Sequence, residues 1–223
     1  MQTGKMKDSP ATNNFRQIVE RATVEFPKMG GRGVFVGGNL ILTASHCIVY
    51  ETGGTMALDD HLIQEIQTFD GKNLKVQILA VDLVSDFAVL GAPDGQDFDI
   101  ESKDFDAFCE ATKPVPVCFK NYPRFAEFPV EIWTHKNIWV QGKATLNDPN
   151  TQRIAIQSES AIEPGTSGSA IVNEAGELIA LVSTFSGNQS GGGWVGLNPF
   201  IPKALPVSII QKIREHVVEQ NED

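Results

Sequence analysis

The residues with the clearest chemical potential are the serines of a glycine-rich stretch, PGTSGSA, at residues 164–170. A serine hydroxyl is a poor nucleophile at neutral pH. Catalysis therefore requires a histidine that removes its proton and a carboxylate that orients this histidine. Glycine and serine are also ordinary turn residues, so the stretch alone does not distinguish a nucleophile from a flexible turn. The rest of the sequence must supply the histidine and the carboxylate.

The chain contains four histidines, and one of them is placed differently from the others. His46 ends the apolar run LILTASHC, where a side chain can project from a rigid strand into a cleft. His61 lies in the polar segment LDDHLIQEI, His135 lies at a predicted turn, and His216 lies on a predicted helix near the end of the chain. We expect these last three to be surface residues, which leaves His46 as the candidate base.

Two aspartates are candidates for the orienting carboxylate. Asp86 comes directly before the apolar segment FAVL, and Asp82 lies shortly before it in DLVSD. An aspartate at the end of a strand is commonly a turn former, so both have an alternative structural role. The order along the chain is histidine, then aspartate, then serine. An esterase-type G-x-S-x-G elbow is not present, because Ser169 stands where its last glycine would be and no helical pattern follows.

Most of the chain carries strand patterns. Short segments rich in Val, Ile, Phe or Trp, among them VPVCF at 115–119 and RIAIQS at 153–158, alternate with Gly, Pro, Asn or Asp and are predicted strands. The segments FVGGNLIL and IVNEAGELIALV are typical of hairpins. This pattern predicts an all-β sandwich or barrel. Helical spacing of apolar residues occurs at 13–26 and again at 206–220, which predicts a helix near each end. The acidic segment 92–108 is predicted to link two strand-rich halves, and the glycine-rich segment 186–193 to be a mobile loop.

The composition excludes several classes of protein. Hydrophobic residues make up 41% of the 223 residues, enough for a core, and the net charge of −10 disfavours binding to nucleic acid or to anionic membranes. No apolar run is long enough to span a bilayer, and the polar start lacks the core of a secretory signal. Three cysteines, Cys47, Cys109 and Cys118, cannot all pair with one another, which favours a reducing, cytoplasmic setting. Their spacing fits no zinc pattern, so no metal is expected.

Three segments resemble the signature segments of trypsin-like serine peptidases: TASHC at 43–47, SDFAVL at 85–90 and AIEPGTSGSAIVNEAGELIALVS at 161–183. They are most similar to the bacterial HtrA/Deg-type and glutamyl-endopeptidase-type enzymes, and the resemblance runs from about residue 30 to residue 206. It implies a chymotrypsin-like fold of two six-stranded antiparallel β-barrels with a C-terminal α-helix. The expected organisation is a disordered segment (1–14), an N-terminal barrel (15–105), a C-terminal barrel (106–205) and a terminal helix and tail (206–223).

The same resemblance implies a function and assigns roles to residues. It implies a serine endopeptidase that acts through an acyl-enzyme, with the N-terminal barrel carrying His46 and Asp86 and the C-terminal barrel carrying Ser167. Ser167 is favoured over Ser169 because Ser169 falls where most relatives carry a second glycine. The backbone N–H groups of Gly165 and Ser167 would form the oxyanion hole. No cofactor is implied, since a triad needs none.

The sequence also departs from the family pattern. Thr166 stands where trypsin-like zymogens carry an aspartate, and there is no Ile-Val-Gly-Gly start, so activation by cleavage is not expected. The region upstream of Cys47 lacks the cysteine that secreted relatives pair with it, so Cys47 is expected to be a free, buried thiol. No peptide-binding regulatory domain is expected after the terminal helix, and control is therefore expected to come from loops, oligomerisation or a regulatory protein partner.

The resemblance further places the pocket for the side chain before the scissile bond. Its base lies at or near Ala161, where an aspartate would select Arg or Lys, and its walls are predicted to come from Ser183, Thr184 and Phe185. We therefore expect protein or peptide substrates to be cleaved after small or medium apolar residues. The alternative hypothesis is a catalytically latent or inactive binding protein on a protease fold, controlled by a partner. A hydrolase of small esters is disfavoured by the missing elbow.

Overall fold

The computed structural model of the protein describes residues 10–48, 62–146, 152–183 and 195–219. The first half of the chain forms a closed antiparallel barrel with the strand order β1-β2-β3-β6-β5-β4. Its elements are helix α1 (Pro10–Ala22), strands β1 (Thr23–Glu25), β2 (Arg32–Phe35), β3 (Ile41–Thr43), β4 (Ile63–Thr68), β5 (Asn73–Asp82) and β6 (Phe87–Gly91), and helix α2 (Asp99–Ala111).

The second half forms another six-stranded antiparallel sheet, with the order β11-β10-β7-β8-β9-β12. An isolated bridge between Ala180 and Phe200 joins its two edges. The strands are β7 (Glu127–Trp133), β8 (Trp139–Thr145), β9 (Arg153–Ser158), β10 (Ala170–Val172), β11 (Leu178–Leu181) and β12 (Val195–Pro199), followed by helices α3 (Ile201–Ala204) and α4 (Val207–Glu219). The predicted fold of two six-stranded antiparallel β-barrels with a C-terminal helix is therefore confirmed.

Both predicted hairpins form, whereas one predicted strand does not. Strand β2 pairs with β3, and β10 pairs with β11, each in antiparallel register. The segment VPVCF makes only one isolated bridge, between Val117 and Leu178. Pro114 and Pro116 lack the N–H groups that a regular ladder needs, which explains why no strand develops there.

The start of helix α1 corrects the predicted N-terminal boundary. The helix begins at Pro10, inside the segment 1–14 that was predicted to be disordered, while residues 1–9 lie outside the described residues. Proline suits the first turn of a helix because its missing N–H would have no intrahelical partner there. The helix ends at Ala22, earlier than the predicted 13–26 pattern, because the β-branched Thr23 and Val24 enter strand β1.

The acidic segment predicted as a linker contains helix α2. Asp99 and Glu101 lie in its first turn, where negative charge stabilises the helix dipole. Phe105 is fully buried against the first barrel, and Glu101 forms an ion pair with Lys75 on β5. The linker is therefore a packed helix that covers one side of the barrel.

The described residues include no helix that is both long and apolar enough to cross a membrane. Within the same part of the chain, no three His, Cys, Asp or Glu side chains lie together in a way that could hold a metal ion.

Candidate active site

The pairing of strands β3 and β6 brings His46 next to Asp86. Strand β3 ends at Thr43 and is followed by a single 3₁₀ turn, Ser45–Cys47, which presents the half-exposed His46 ring. Asp86 directly precedes β6, and Thr43 lies opposite Ala88 in the ladder. His46 Nδ1 is 2.8 Å from Asp86 Oδ2 and 3.0 Å from Oδ1. The carboxylate therefore holds one side of the imidazole.

Further hydrogen bonds fix the Asp86 carboxylate. Oδ1 accepts from the Ser45 hydroxyl at 2.8 Å and from the His46 backbone N–H at 3.1 Å, and Oδ2 accepts from the Ser183 hydroxyl. The backbone of Asp86 has φ +55°, a left-handed conformation that aspartate tolerates better than most residues. The carboxylate is thus held in one orientation by donors from both halves of the chain.

These contacts set the charges of the pair. Burial raises the pKa of Asp86, but the hydrogen bonds from His46, Ser183 and Ser45 outweigh it and hold this pKa well below the ordinary 3.8. The hydrogen bond to Asp86, and after it an interaction with the Cys47 thiol, raises the pKa of His46 well above 6.5. Because the ionised carboxylate can only accept, Nδ1 carries a proton and the neutral ring has its lone pair on Nε2. This is the tautomer that a serine nucleophile needs.

The other candidate carboxylate has a structural role. Asp82 Oδ1 accepts the backbone N–H of Val84 at 2.9 Å and that of Ser85 at 3.1 Å. Asp82 therefore shapes the turn that leads to Asp86, and of the two aspartates it is Asp86 that contacts His46.

Ser167 lies in a tight loop that is held against the first barrel. Gly165 and Gly168 on either side have φ +93° and +78°, which side chains rarely adopt. The Ser167 carbonyl accepts the backbone N–H of Arg32 at 2.7 Å. A β-carbon on Gly168 would overlap the carbonyl oxygen of Arg32, so only glycine permits this approach. The loop that carries the candidate nucleophile is therefore docked directly on strand β2.

The structure separates the two candidate serines by burial. Ser167 is partly exposed, whereas Ser169 is 1% exposed and its hydroxyl has no hydrogen-bond partner among the described residues. Only Ser167 is therefore accessible to a substrate. Within the described residues no hydrogen bond joins Ser167 to His46. In enzymes without substrate such catalytic hydrogen bonds are often long and tighten when substrate binds.

The loop also provides two backbone donors suited to a negative oxygen. The N–H groups of Gly165 and Ser167 have no hydrogen-bond partner among the described residues, although the neighbouring Thr166, Gly168 and Ser169 N–H groups all do. Two free N–H groups flanking a nucleophile are the arrangement of an oxyanion hole. The two predicted donors are therefore free to hydrogen-bond to an oxyanion.

The residues predicted for the specificity pocket are only partly described. Ala161 has an exposed side chain, and Ser183 is 8% exposed with its hydroxyl on Asp86 rather than on a pocket wall. Thr184, Phe185 and the predicted mobile loop 186–193 lie outside the described residues. Ser183 thus belongs to the hydrogen-bond network of the carboxylate in this structure.

A cavity of about 230 Å³ lies beside the loop, between the two halves of the chain. Its walls come from the β1–β2 region, including Gly31 and Arg32, and from His135 and Gly165. A larger cavity of about 770 Å³ lies elsewhere, between α1, α2 and the β4–β5 turn, and none of the triad candidates lines it.

Several contacts that build the site were not predicted from the sequence. Ser45 and Ser183 hold Asp86, and Arg32 holds Ser167 through its backbone. His135, which was expected to be a surface residue, is instead partly buried against the loop at Thr166. Ser45 could have been predicted, because it is a polar residue between an apolar strand and His46. The other contacts join residues far apart in the sequence, so no local pattern indicates them.

Cys47, next to His46, is buried and free. A β-carbon on Gly31 would overlap its sulfur atom, so the thiol leaves no room for a side chain at position 31. Cys109 and Cys118 are also free.

Two antiparallel β-barrels, with a histidine–carboxylate pair on one and a glycine-flanked serine on the other, define the class of chymotrypsin-like serine hydrolases. Comparison with known families agrees, because the model of the trypsin-like peptidase domain matches residues 31–181. The chain belongs to the trypsin-like peptidase family.

The comparisons also identify individual relatives. The chain is similar to the serine protease Do-like HtrA of Lactobacillus helveticus, with 23% identity over 213 residues that make up 94% of this chain and 47% of that protein. Among solved structures, its structure is similar to that of the HtrA-type protease AlgW with a decapeptide. The TM-score is 0.48 and the identity is 21%, and the match covers 83% of this chain and 52% of that chain. The predicted resemblance to trypsin-like serine peptidases is confirmed by the family match, and the curated relative is of the HtrA type that the sequence resembles. The chain spans about half the length of these relatives.

Proposed function

We propose that the protein is a serine endopeptidase that cleaves peptide bonds through an acyl-enzyme. Ser167 is the nucleophile, His46 is the general base and acid, and Asp86 orients and stabilises His46. The observation that carries this proposal is the hydrogen bond between the Asp86 carboxylate and His46 Nδ1, which leaves Nε2 as the basic nitrogen.

In the first half of the reaction, Ser167 Oγ attacks the carbonyl carbon of the scissile bond while its proton passes to His46 Nε2. The carbonyl oxygen becomes an oxyanion and accepts hydrogen bonds from the N–H groups of Gly165 and Ser167. His46 then gives its proton to the leaving amine, and the C–N bond breaks. Water attacks the acyl-enzyme in the second half, with His46 again taking and returning the proton.

A fluorophosphonate probe tests whether this nucleophile is assembled. The activated serine oxygen attacks phosphorus and displaces fluoride, which leaves a covalent adduct that intact-mass spectrometry detects. We expect the full chain to gain one adduct and the Ser167→Ala variant to gain none. Ser169→Ala is the matched control and should label normally, because the Ser169 hydroxyl is buried.

Each other outcome of the labelling argues against the proposal. Labelling that persists in Ser167→Ala places the reactive group elsewhere. Folded wild-type protein that does not label identifies the alternative, a latent or inactive protease-fold protein, and the next experiment would then search for a regulatory protein partner.

We further propose a preference for small or medium apolar residues before the scissile bond. This proposal rests on the family resemblance, which puts the uncharged Ala161 at the base of the pocket. A panel of peptides that differ at this one position should be cleaved fastest after residues such as alanine or valine. Fastest cleavage after Arg, Lys or Glu would contradict the proposal. Ala161→Asp is a directed control and should shift cleavage towards Arg and Lys.

A further inference from the structure

The turn between β7 and β8 packs against the loop that carries Ser167. His135, in this turn, has its ring Nδ1 2.9 Å from the hydroxyl of Thr166, and its backbone N–H points to the same oxygen at 3.4 Å. The ring also lies against Gly165, because a β-carbon there would be 3.4 Å from His135 Cγ. Thr166 is fully buried. One side chain of the turn therefore contacts two consecutive residues of the loop.

These contacts fall on the residues that aim the oxyanion donors. The N–H of Ser167 belongs to the peptide plane that follows Thr166, so a fixed Thr166 side chain limits the rotation of that plane. The ring of His135 packs on Gly165, which supplies the other donor. Gly165 has φ +93°, and because a glycine has no β-carbon it could also adopt other conformations. Backbone donors stabilise an oxyanion most strongly when they are already aimed at its position before it forms.

Arg32 fixes the turn that carries His135. Its side chain is 2% exposed, and Nη1 donates to the carbonyl of Thr134 at 2.6 Å. Nη2 donates to Asn137 Oδ1 at 3.2 Å and forms an ion pair with Glu25 at 2.8 Å. A buried guanidinium must keep its partners to remain stable, so these bonds resist movement of the turn. The backbone N–H of the same arginine holds the Ser167 carbonyl.

We propose that His135 is a positioning residue for the oxyanion hole, which orients the Gly165 and Ser167 N–H groups through the Thr166 hydroxyl and by packing on Gly165. This role rests on the proposed peptidase function. His135 does not touch the reacting atoms, and its contribution passes through the loop. Loss of His135 is therefore expected to lower kcat, through the chemical step, rather than to raise KM through weaker substrate binding.

The test compares four variants of the full chain by steady-state peptide hydrolysis. His135→Ala should lower kcat by roughly 10²- to 10³-fold, the loss expected when one oxyanion donor is removed, with little change in KM. His135→Asn should recover most of kcat, because its amide can reach the Thr166 hydroxyl from the position of Nδ1. Thr166→Val keeps the volume and removes the hydroxyl, and it should lose activity as His135→Ala does. The double variant should lose no more than either single variant, since both remove the same contact.

Ile138→Ala is the matched control, because this side chain lies on the same turn and is 53% exposed. Its kcat and thermal unfolding should match those of the wild type. The proposal is overturned if His135→Ala retains wild-type kcat, if its loss appears in KM alone, or if His135→Asn gives no recovery. It is also overturned if the losses in the double variant add.

A second measurement separates this proposal from the proposed function. If the wild-type chain neither labels with a fluorophosphonate nor cleaves peptides, the peptidase proposal fails. The heteronuclear ¹⁵N NOE of the Gly165, Thr166 and Ser167 amides still reports on the loop. These values should fall in His135→Ala and return in His135→Asn if His135 orders the loop. Unchanged values would overturn the positioning role independently of activity.

Discussion

Replacing Ser167 with alanine is expected to lower kcat for peptide hydrolysis by about 10⁶-fold, with little change in KM. The loss is this large because the acyl-enzyme cannot form without the hydroxyl, and the remaining groups then act only by binding substrate and stabilising the oxyanion. The loop itself should keep its structure. Its conformation depends on the glycines at 165 and 168 and on the backbone hydrogen bond from Arg32, none of which involves the Ser167 side chain.

The measurement is a steady-state assay with a peptide substrate, made beside His46→Ala and the double variant. Residues that act as one unit give losses that do not add, so the double variant should be about as inactive as Ser167→Ala alone. Ser169→Ala should retain activity and stability, because its buried hydroxyl makes no hydrogen bond to a described residue. Losses that add, or equal losses at the two serines, would contradict the assignment of Ser167 and His46 to one catalytic unit.

The two barrels could be predicted because their strands are short, apolar and separated by turn residues. Strand β9 illustrates this, since the predicted segment RIAIQS coincides with Arg153–Ser158. Strand β4, Ile63–Thr68, was missed for a physical reason. Its inward-facing residues are Gln64, Ile66 and Thr68, all buried, and only one of them is strongly apolar. A strand that buries polar side chains gives little alternation of hydrophobicity.

Helix α2 was missed because its composition is typical of a linker. Asp, Gly and Pro occur in the segment before it, and five of its own 13 residues are Asp or Glu. The helix is stabilised by tertiary contacts instead. Phe105 is fully buried, and Phe108 packs on Phe35 of β2 with ring centres 5.5 Å apart. Tertiary packing commonly outweighs local propensity in this way.

The candidate triad could be located from sequence because each member lies in a short segment of recognisable type. The groups that hold it could not, because they meet only in the folded chain. Ser183 was predicted to line a pocket, but its hydroxyl binds Asp86, which is 97 residues away. His135 was assigned to the surface, but it contacts Thr166, 31 residues away. A pattern of local hydrophobicity carries no information about such pairs.

Replacing Asp86 with asparagine should lower kcat by about 10⁴-fold. Asparagine is the suitable replacement because it tolerates the left-handed backbone of Asp86, with φ +55°. Its carbonyl oxygen can take the place of Oδ1, which accepts from Ser45 and from the His46 N–H. The amide NH₂ group then faces His46 Nδ1. Because this group can only donate, the imidazole must carry its proton on Nε2, where the proton of Ser167 should go.

The pH dependence distinguishes this cause from a loss of structure. In the wild type the hydrogen bond to Asp86 raises the pKa of His46 above 6.5, and only the neutral ring can accept a proton. The kcat/KM should therefore rise with pH, with its ascending limb above pH 6.5. In Asp86→Asn the carboxylate is gone, so the pKa of His46 falls towards 6.5 and the limb moves to lower pH. Ser183→Ala is the control, because it removes one donor to Asp86 and leaves the carboxylate facing His46.

The rate and the pH profile must change together if Asp86 acts through His46. An Asp86→Asn variant that is slow but keeps the wild-type limb would show that the limb belongs to another group. An Asp86→Asn variant that keeps the wild-type rate would show that Asp86 is not part of the catalytic unit. Ser183→Ala should show a small loss in rate and a limb close to that of the wild type. A loss as large as that of Asp86→Asn would instead assign the effect to the hydrogen bond between the two barrels, since Ser183 is the residue that joins the second barrel to the carboxylate.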